Sequence, residues 1–215
     1  MRAAQAAIIL ALIAAAAIGV WAYPALPERV PSHWDLQGRV NGYSSRLFAV
    51  AFVPALMLAL TGLLLWLPRI DPLRENYASF RGSYEGTIAA LDVYILYVHS
   101  LILASGVGFA FNFTQLLVPS FGALFVALGV AMGRVKRNWF MGVRTPWTLS
   151  SDEVWDRTHR FAGKAFSAAG AITFTSLLFP DLAIWLLLVP VSTAGIGSIA
   201  YSYWIYTRIK KPENS

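Results

Sequence analysis

Six apolar runs, each long enough to cross a bilayer as a helix, constrain this chain more than any other feature. A bilayer core requires about 20 mostly apolar residues in a helix. Within that core the backbone must satisfy its own hydrogen bonds, which excludes irregular and open-sheet structures. The sequence therefore predicts an all-α integral membrane protein with six transmembrane helices. The runs cover residues 3–23, 47–67, 87–111, 116–132, 162–179 and 182–206.

Composition agrees with a lipid environment and excludes several classes of function. Only 13% of the residues are charged, whereas soluble domains carry roughly a quarter. The net charge of +6 arises from basic residues between the apolar runs, which favours lipid headgroups over nucleic acid as partners. The chain has no cysteine, and no phosphate-binding loop or catalytic constellation stands out. We therefore expect no enzyme activity, no catalytic residues and no cofactor.

The distribution of Lys and Arg predicts the orientation of the spans. With the N-terminus inside, 14 of the 17 basic residues lie in cytoplasmic segments. The other three, Arg29, Arg39 and Arg46, lie in the first outer loop. Cytoplasmic loops carry an excess of Lys and Arg, so both termini are expected inside the cell. This is the pattern of a multi-pass inner-membrane protein.

The first outer loop, residues 24–46, has the composition of a small structured cap. Its prolines disfavour helix and favour extended chain, and Asn41-Gly42 is a tight-turn signal. We expect a short hairpin at the outer interface that is available to a ligand. The residues expected to face a ligand are Pro27, Pro31, His33, Trp34 and Gly38.

The long inner loop, residues 133–164, contains a second candidate site. Ser150 and Glu153 fit a capping box, which predicts a helix that begins at Ser151. Apolar residues then recur at three- and four-residue steps, as in an amphipathic helix lying at the membrane surface before the fifth span. The candidate residues of this motif are Asn138, Gly142, Arg144, Thr145, Pro146, Trp147, Trp155, Thr158, His159 and Arg160.

These two loops resemble two known families. The outer sequence from Leu26-Pro27 through His33-Trp34 to Gly38 resembles the DUF1648 family. The inner sequence from Asn138 to Ser150, with its continuation to Lys164, is similar to the SdpI family. The resemblance divides the chain into a DUF1648-like region, residues 1–67, and an SdpI-like region, residues 68–215, within one compact membrane domain.

The resemblance implies an immunity and signal-receptor function. The best-understood member of the SdpI family protects its bacterium from a secreted peptide toxin that collapses the proton-motive force. It also holds its own transcriptional repressor at the membrane when it senses the toxin. By resemblance, the partners expected here are the bilayer, a peptide toxin outside and a repressor protein inside, without direct contact to nucleic acid.

A polar stripe in the third span supports a different function. Glu85, Asp92 and His99 are seven residues apart and fall on nearly one helical face. Ionisable groups inside a membrane indicate function by default, here a proton relay or an ion site. The alternative is that Glu85 lies at the interface while the other two pair with polar groups of a neighbouring span. The competing functions are thus a small proton- or ion-coupled transporter and a purely structural membrane partner.

Two further questions stay open at the level of sequence. Arg144 is suited to hold a lipid phosphate or a partner carboxylate, to cap backbone carbonyls, or to pair with Asp152 or Glu153. His33 is expected outside the cell, His99 within the membrane and His159 in the cytoplasm. The three side chains cannot meet, so we expect no metal site.

Overall fold

The computed structural model describes residues 2–210, with side chains from Ala3 to Ile209, and is built almost entirely of helices. Five helical segments within these residues are long and apolar enough to cross a membrane, which confirms a multi-pass membrane protein. Lys211, one of the basic residues expected in the cytoplasm, lies outside the described residues. The helices are α1 (Arg2–Ala22), α2 (Arg46–Ile70), α3 (Tyr77–Gly106), α4 (Phe113–Met132), α5 (Pro146–Ser150), α6 (Asp152–Phe174) and α7 (Ala183–Lys210).

The expected fifth span is the helix that differs most from its prediction. Ser151 caps α6 by accepting a hydrogen bond from the N–H of Val154 at 3.4 Å, so the predicted cap at Ser150 is wrong. Ser150 instead ends α5, whose own cap is Thr145. From Asp152 the helix continues unbroken to Phe174, and it is not among the five apolar segments. The charged side chains of its first three turns dilute the apolar signal.

Glycines bring α4 and α6 into backbone contact. A Cβ added at Gly163 would lie 2.7 Å from the carbonyl oxygen of Gly129, and one added at Gly170 would lie 2.5 Å from that of Gly122. The order of these two contacts shows that the helices run antiparallel. Small residues allow such close approach where lipid gives no hydrophobic drive for association. Gly195 of α7 makes no such contact, because nothing lies within 4 Å of its added Cβ.

The outer loop folds into the expected hairpin, but its turn lies elsewhere. Strands β1 (Arg29–Trp34) and β2 (Val40–Ser45) pair antiparallel. Asn41-Gly42 falls inside β2 rather than at the turn, because Asp35 accepts hydrogen bonds from the N–H groups of Gln37 and Arg39 and closes the turn there. Gly38, at φ 79°, supplies the left-handed conformation that the turn requires.

Buried apolar side chains fix the base of the hairpin on the helices. Leu26 and Val30 are buried against the end of α3, where a Cβ on Gly106 would lie 2.6 Å from Leu26 Cδ2. Ser45 caps α2 by accepting from the N–H of Phe48 at 3.2 Å. The base of the hairpin is therefore packed directly against the helix bundle.

Candidate functional site

The hairpin tip docks on the start of α4. The Trp34 ring stacks on Phe113 with centroids 3.8 Å apart. Asn112 donates from Nδ2 to the carbonyl oxygen of Gln37 at 2.9 Å, and it caps α4 through Oδ1. A Cβ on Gly38 would lie 2.3 Å from that Oδ1, so a larger residue here would displace the Asn112 side chain. The two regions predicted from sequence are therefore joined at this end of the bundle.

The outer candidates consequently have packing contacts of their own. Pro31 lies in β1 opposite Tyr43, the side chain of His33 contacts Asn41, and the carbonyl oxygen of Pro27 accepts from Nε of Arg46 at 3.5 Å. The backbone N–H of Arg39, the largest cause, holds the pKa of Asp35 below its ordinary value. Whether any of these residues also faces a ligand remains a prediction.

The polar stripe of α3 is buried along its whole length. Glu85, Asp92 and His99 are at most 4% exposed. Seven residues advance a helix by about 10 Å, so the three groups do not touch one another. Asp92 accepts from the hydroxyl of Thr61 on α2 at 2.8 Å, which is the neighbouring-span pairing that the second interpretation describes.

The two ends of the stripe differ in their partners. Glu85 accepts from Nε of Arg81 at 2.7 Å and from Nε2 of Gln5 at 3.1 Å, both at Oε1. Neither ring nitrogen of His99 makes a regular hydrogen bond to a described residue, although the backbone of Ala15 lies beside the ring. The stripe is thus a row of separate buried polar groups.

The inner loop closes on a carboxylate that the sequence did not single out. Asp71, 2% exposed, follows α2 and accepts from the N–H of Leu73 at 2.7 Å, the hydroxyl of Tyr77 at 2.9 Å and the N–H of Trp139 at 2.9 Å. Asn138 lies beside it, fully buried. The signal that could have identified Asp71 was its position just after a transmembrane run. An aspartate at such a position readily accepts hydrogen bonds from backbone N–H groups.

Asn138 shapes the turn that follows it. Its Oδ1 accepts from the N–H groups of Phe140 and Met141 at 2.9 and 2.7 Å, and its Nδ2 donates to the carbonyl oxygens of Lys136 and Met141. Every polar atom of this buried amide is therefore used inside the loop. Its structural role is to hold the backbone between α4 and α5.

His159 fastens the same loop to α6. Its Nε2 accepts from the N–H of Val143 at 3.0 Å, so Nδ1 carries the proton and donates to the carbonyl oxygen of Trp155 at 2.9 Å. The imidazole stacks on the Trp155 indole with centroids 3.9 Å apart. Burial lowers the pKa of His159 to about 4, which keeps the ring neutral. A Cβ on Gly142, at φ 108°, would lie 2.2 Å from Nε2.

The remaining inner candidates connect the loop to α7 and to itself. The hydroxyls of Thr145 and Ser202 lie 3.1 Å apart, and the Trp147 ring meets Tyr203 with centroids 5.0 Å apart. Pro146 is the first residue of α5, and Thr158 is fully buried. Arg160 is exposed.

Arg144 takes one of the roles considered from sequence. Its guanidinium donates to the carbonyl oxygen of Trp139 at 2.7 Å, so it caps a carbonyl of the loop. The acids considered as its partners pair elsewhere, Asp152 with Arg137 at 2.8 Å and Glu153 with Arg157 at 2.7 Å. Arg144 remains exposed and therefore open to further contacts.

Comparison with known proteins agrees with both expected resemblances. The SdpI/YfhL protein family model matches residues 134–202, and the DUF1648 model matches residues 10–58. The chain is 26% identical over 188 residues to Immunity protein SdpI of Bacillus subtilis (strain 168). The aligned region covers 87% of this chain and 88% of that protein. No solved structure matches the chain.

Proposed function

We propose that this chain, in which a DUF1648 region precedes an SdpI/YfhL region, is a membrane immunity and signal-receptor protein that protects its cell from a secreted peptide toxin. The observation that carries the proposal is its similarity to an immunity protein along nearly the whole length of both chains. An immunity function of this kind requires no catalytic group.

The proposal includes six membrane passes with both termini inside. The hairpin, the start of α4 and the segment before α7 meet at one end, where they line a common cavity. The inner loop and the link between α2 and α3 meet at the other end, where Asn76 donates to the carbonyl oxygen of Arg137 at 2.8 Å. A helix of 23 residues is about 34 Å long, so α6 can run between these ends. Its charged first turns then supply the amphipathic cytoplasmic segment.

A cavity of about 290 Å³ beside the hairpin tip is the place where we propose that the toxin binds. Leu36 and Gln37 of the hairpin, Gln115 of α4, and Asp181 and Trp185 at the start of α7 contribute to its wall. Leu36 and Trp185 are each 65% exposed. Exposed aromatic and aliphatic side chains around polar groups are typical of sites that bind peptides. Both family regions are therefore needed to form this site.

Survival of toxin-treated cells tests the immunity proposal. Bacillus subtilis that lacks its Immunity protein SdpI would express this chain and meet the corresponding toxin. We expect survival above that of cells with an empty vector, and a clear loss of survival with Trp185→Ala. Trp21→Ala is the matched control, because Trp21 is 80% exposed on α1 and does not line this cavity. Killing as complete as with the empty vector, with the chain present in the membrane fraction, would refute immunity to that toxin.

The inner face is the proposed contact for a cytoplasmic repressor. Exposed cations, which favour an acidic partner surface, lie on the inner loop and on α6. A fluorescent fusion of a small DNA-binding protein encoded beside this chain should move to the membrane when toxin is present. Diffuse fluorescence with and without toxin would refute the receptor role of the chain toward that protein. These exposed cations are Arg134, Lys136, Arg144, Arg157, Arg160 and Lys164.

The buried stripe of α3 is the observation that favours a second candidate, a proton- or ion-coupled carrier. Asp92 has Thr61 as its side-chain partner, and a carboxylate held by one hydroxyl can exchange a proton. Proton flux into proteoliposomes should then fall with Asp92→Asn. Flux equal to that of empty liposomes would exclude this function.

A further inference from the structure

A second cavity, about 320 Å³, opens between the end of α2 and the start of α3. Its apolar wall includes Leu65, Pro68 and Ala78, and its charged wall is the pair Arg81 and Glu85. Ligand cavities in proteins run from roughly 300 to 1,000 Å³, so this one suits a small group. It lies at the end of the bundle that carries the inner loop, near the expected level of lipid headgroups.

The Arg81–Glu85 pair is an incomplete ion pair. An arginine and a carboxylate commonly form two parallel hydrogen bonds. Here Nε of Arg81 makes one bond, 2.7 Å to Oε1, and Gln5 donates to the same oxygen. The Glu85 side chain is buried, whereas that of Arg81 is 53% exposed. The buried carboxylate thus fixes a guanidinium whose Nη1 and Nη2 have no acceptor among the described side chains and backbone.

The hydroxyl donors of the cavity wall are already engaged, and Oε2 of Glu85, which has no partner among the described residues, can only accept while the group is ionised. The hydroxyl of Tyr77 donates to Asp71 at 2.9 Å, and that of Tyr84 donates to the carbonyl oxygen of Leu64 at 2.5 Å. The two terminal amino groups of Arg81 are therefore the donors that the described residues offer to a ligand in this cavity. A planar pair of N–H donors matches two oxygens of a phosphate.

We propose that this cavity binds the phosphodiester of a membrane phospholipid. Nη1 and Nη2 of Arg81 donate to two phosphate oxygens, and Glu85 acts as a positioning residue that holds the guanidinium through Nε. The glycerol and the first acyl carbons lie against Leu65, Pro68 and Ala78, which a free phosphate ion would leave uncovered. The net charge of +6 favours an anionic headgroup, so we name phosphatidylglycerol as the ligand.

Binding of short-chain dihexanoyl phosphatidylglycerol to the full chain in detergent tests the proposal, with native mass spectrometry as the readout. The test variant is the double substitution Arg81→Gln and Glu85→Gln, which removes both charges together and leaves no buried unpaired carboxylate. Arg74→Gln is the matched control, because Arg74 is an exposed cation near α3 that does not line the cavity. The thermal unfolding midpoint of each variant without lipid verifies that it is folded.

The expected result is a loss of affinity of roughly tenfold or more in the double variant, as for the loss of a charged hydrogen-bonded contact. The control should stay within about twofold of the unmodified chain, since one exposed charge contributes little. Equal affinity of the folded double variant would overturn the proposal. Inorganic phosphate that displaces the lipid at equal concentration would overturn the lipid assignment, because it would show that the apolar wall adds nothing.

Discussion

The contact between Gly163 of α6 and Gly129 of α4 makes the sharpest prediction about stability. In Gly163→Ala the new Cβ would lie 2.7 Å from the carbonyl oxygen of Gly129 and 3.1 Å from the nitrogen of Gly133. An ordinary contact begins near 3.4 Å, so the helices must separate by about 0.7 Å at this point. The obstructing atoms are backbone, which cannot rotate away as a side chain can.

Two opposing terms set the magnitude. Overpacking a close contact costs about 1–3 kcal/mol. Alanine gains about 1 kcal/mol over glycine within a helix. Gly195→Ala on α7 gains the helix preference of alanine without an overpacking penalty, because nothing lies within 4 Å of its added Cβ. The free energies of unfolding of the two variants should therefore differ by about 1–3 kcal/mol, with Gly163→Ala the less stable.

A denaturant titration in mixed micelles, followed by circular dichroism, measures this difference. The two variants add the same methyl group, so the comparison removes the intrinsic preference of alanine for helix. Equal free energies of unfolding for the two variants would refute the close α4–α6 contact, because Gly163→Ala would then raise stability as much as its control.

Three other predictions concern the inner loop. The neutral His159 stabilises the fold above its ordinary pKa of 6.5 and loses this contribution as the pH falls toward about 4. Between pH 7.5 and 5 the chain should lose about 2 kcal/mol of unfolding free energy, a dependence that His159→Gln removes. Gly142→Ala should destabilise the chain by about 1–3 kcal/mol, measured by thermal unfolding, whereas Gly133→Ala, with open space around its Cβ, should not. Asp71→Ala leaves two backbone N–H groups unpaired and Tyr77 with only its longer hydrogen bond to Asn138, so the loop should become open to protease. Glu75→Ala, on the exposed surface, should leave cleavage unchanged.

Apolar run length and turn chemistry were sufficient for much of this fold. Five runs became long apolar helices, and the Pro-rich loop became a hairpin, because both outcomes depend on local composition. The turn predicted at Asn41-Gly42 was wrong. This local signal gives no information about Asp35, which accepts hydrogen bonds from two backbone N–H groups and closes the turn earlier in the chain. The N-cap of α6 is one residue later than predicted, because Ser150 is the last residue of α5.

The sequence by itself determined the membrane class, the family resemblance and the residues of both loops, because hydropathy and motif spacing are properties of consecutive residues. Only the tertiary structure decided what those residues contact. It placed His159 on Val143, paired Asp92 with Thr61 and joined the hairpin to α4 through Asn112. These partners are far apart in the chain. Such pairings form only when the helices pack, and for α4 and α6 the packing depends on glycines that allow the two backbones to touch.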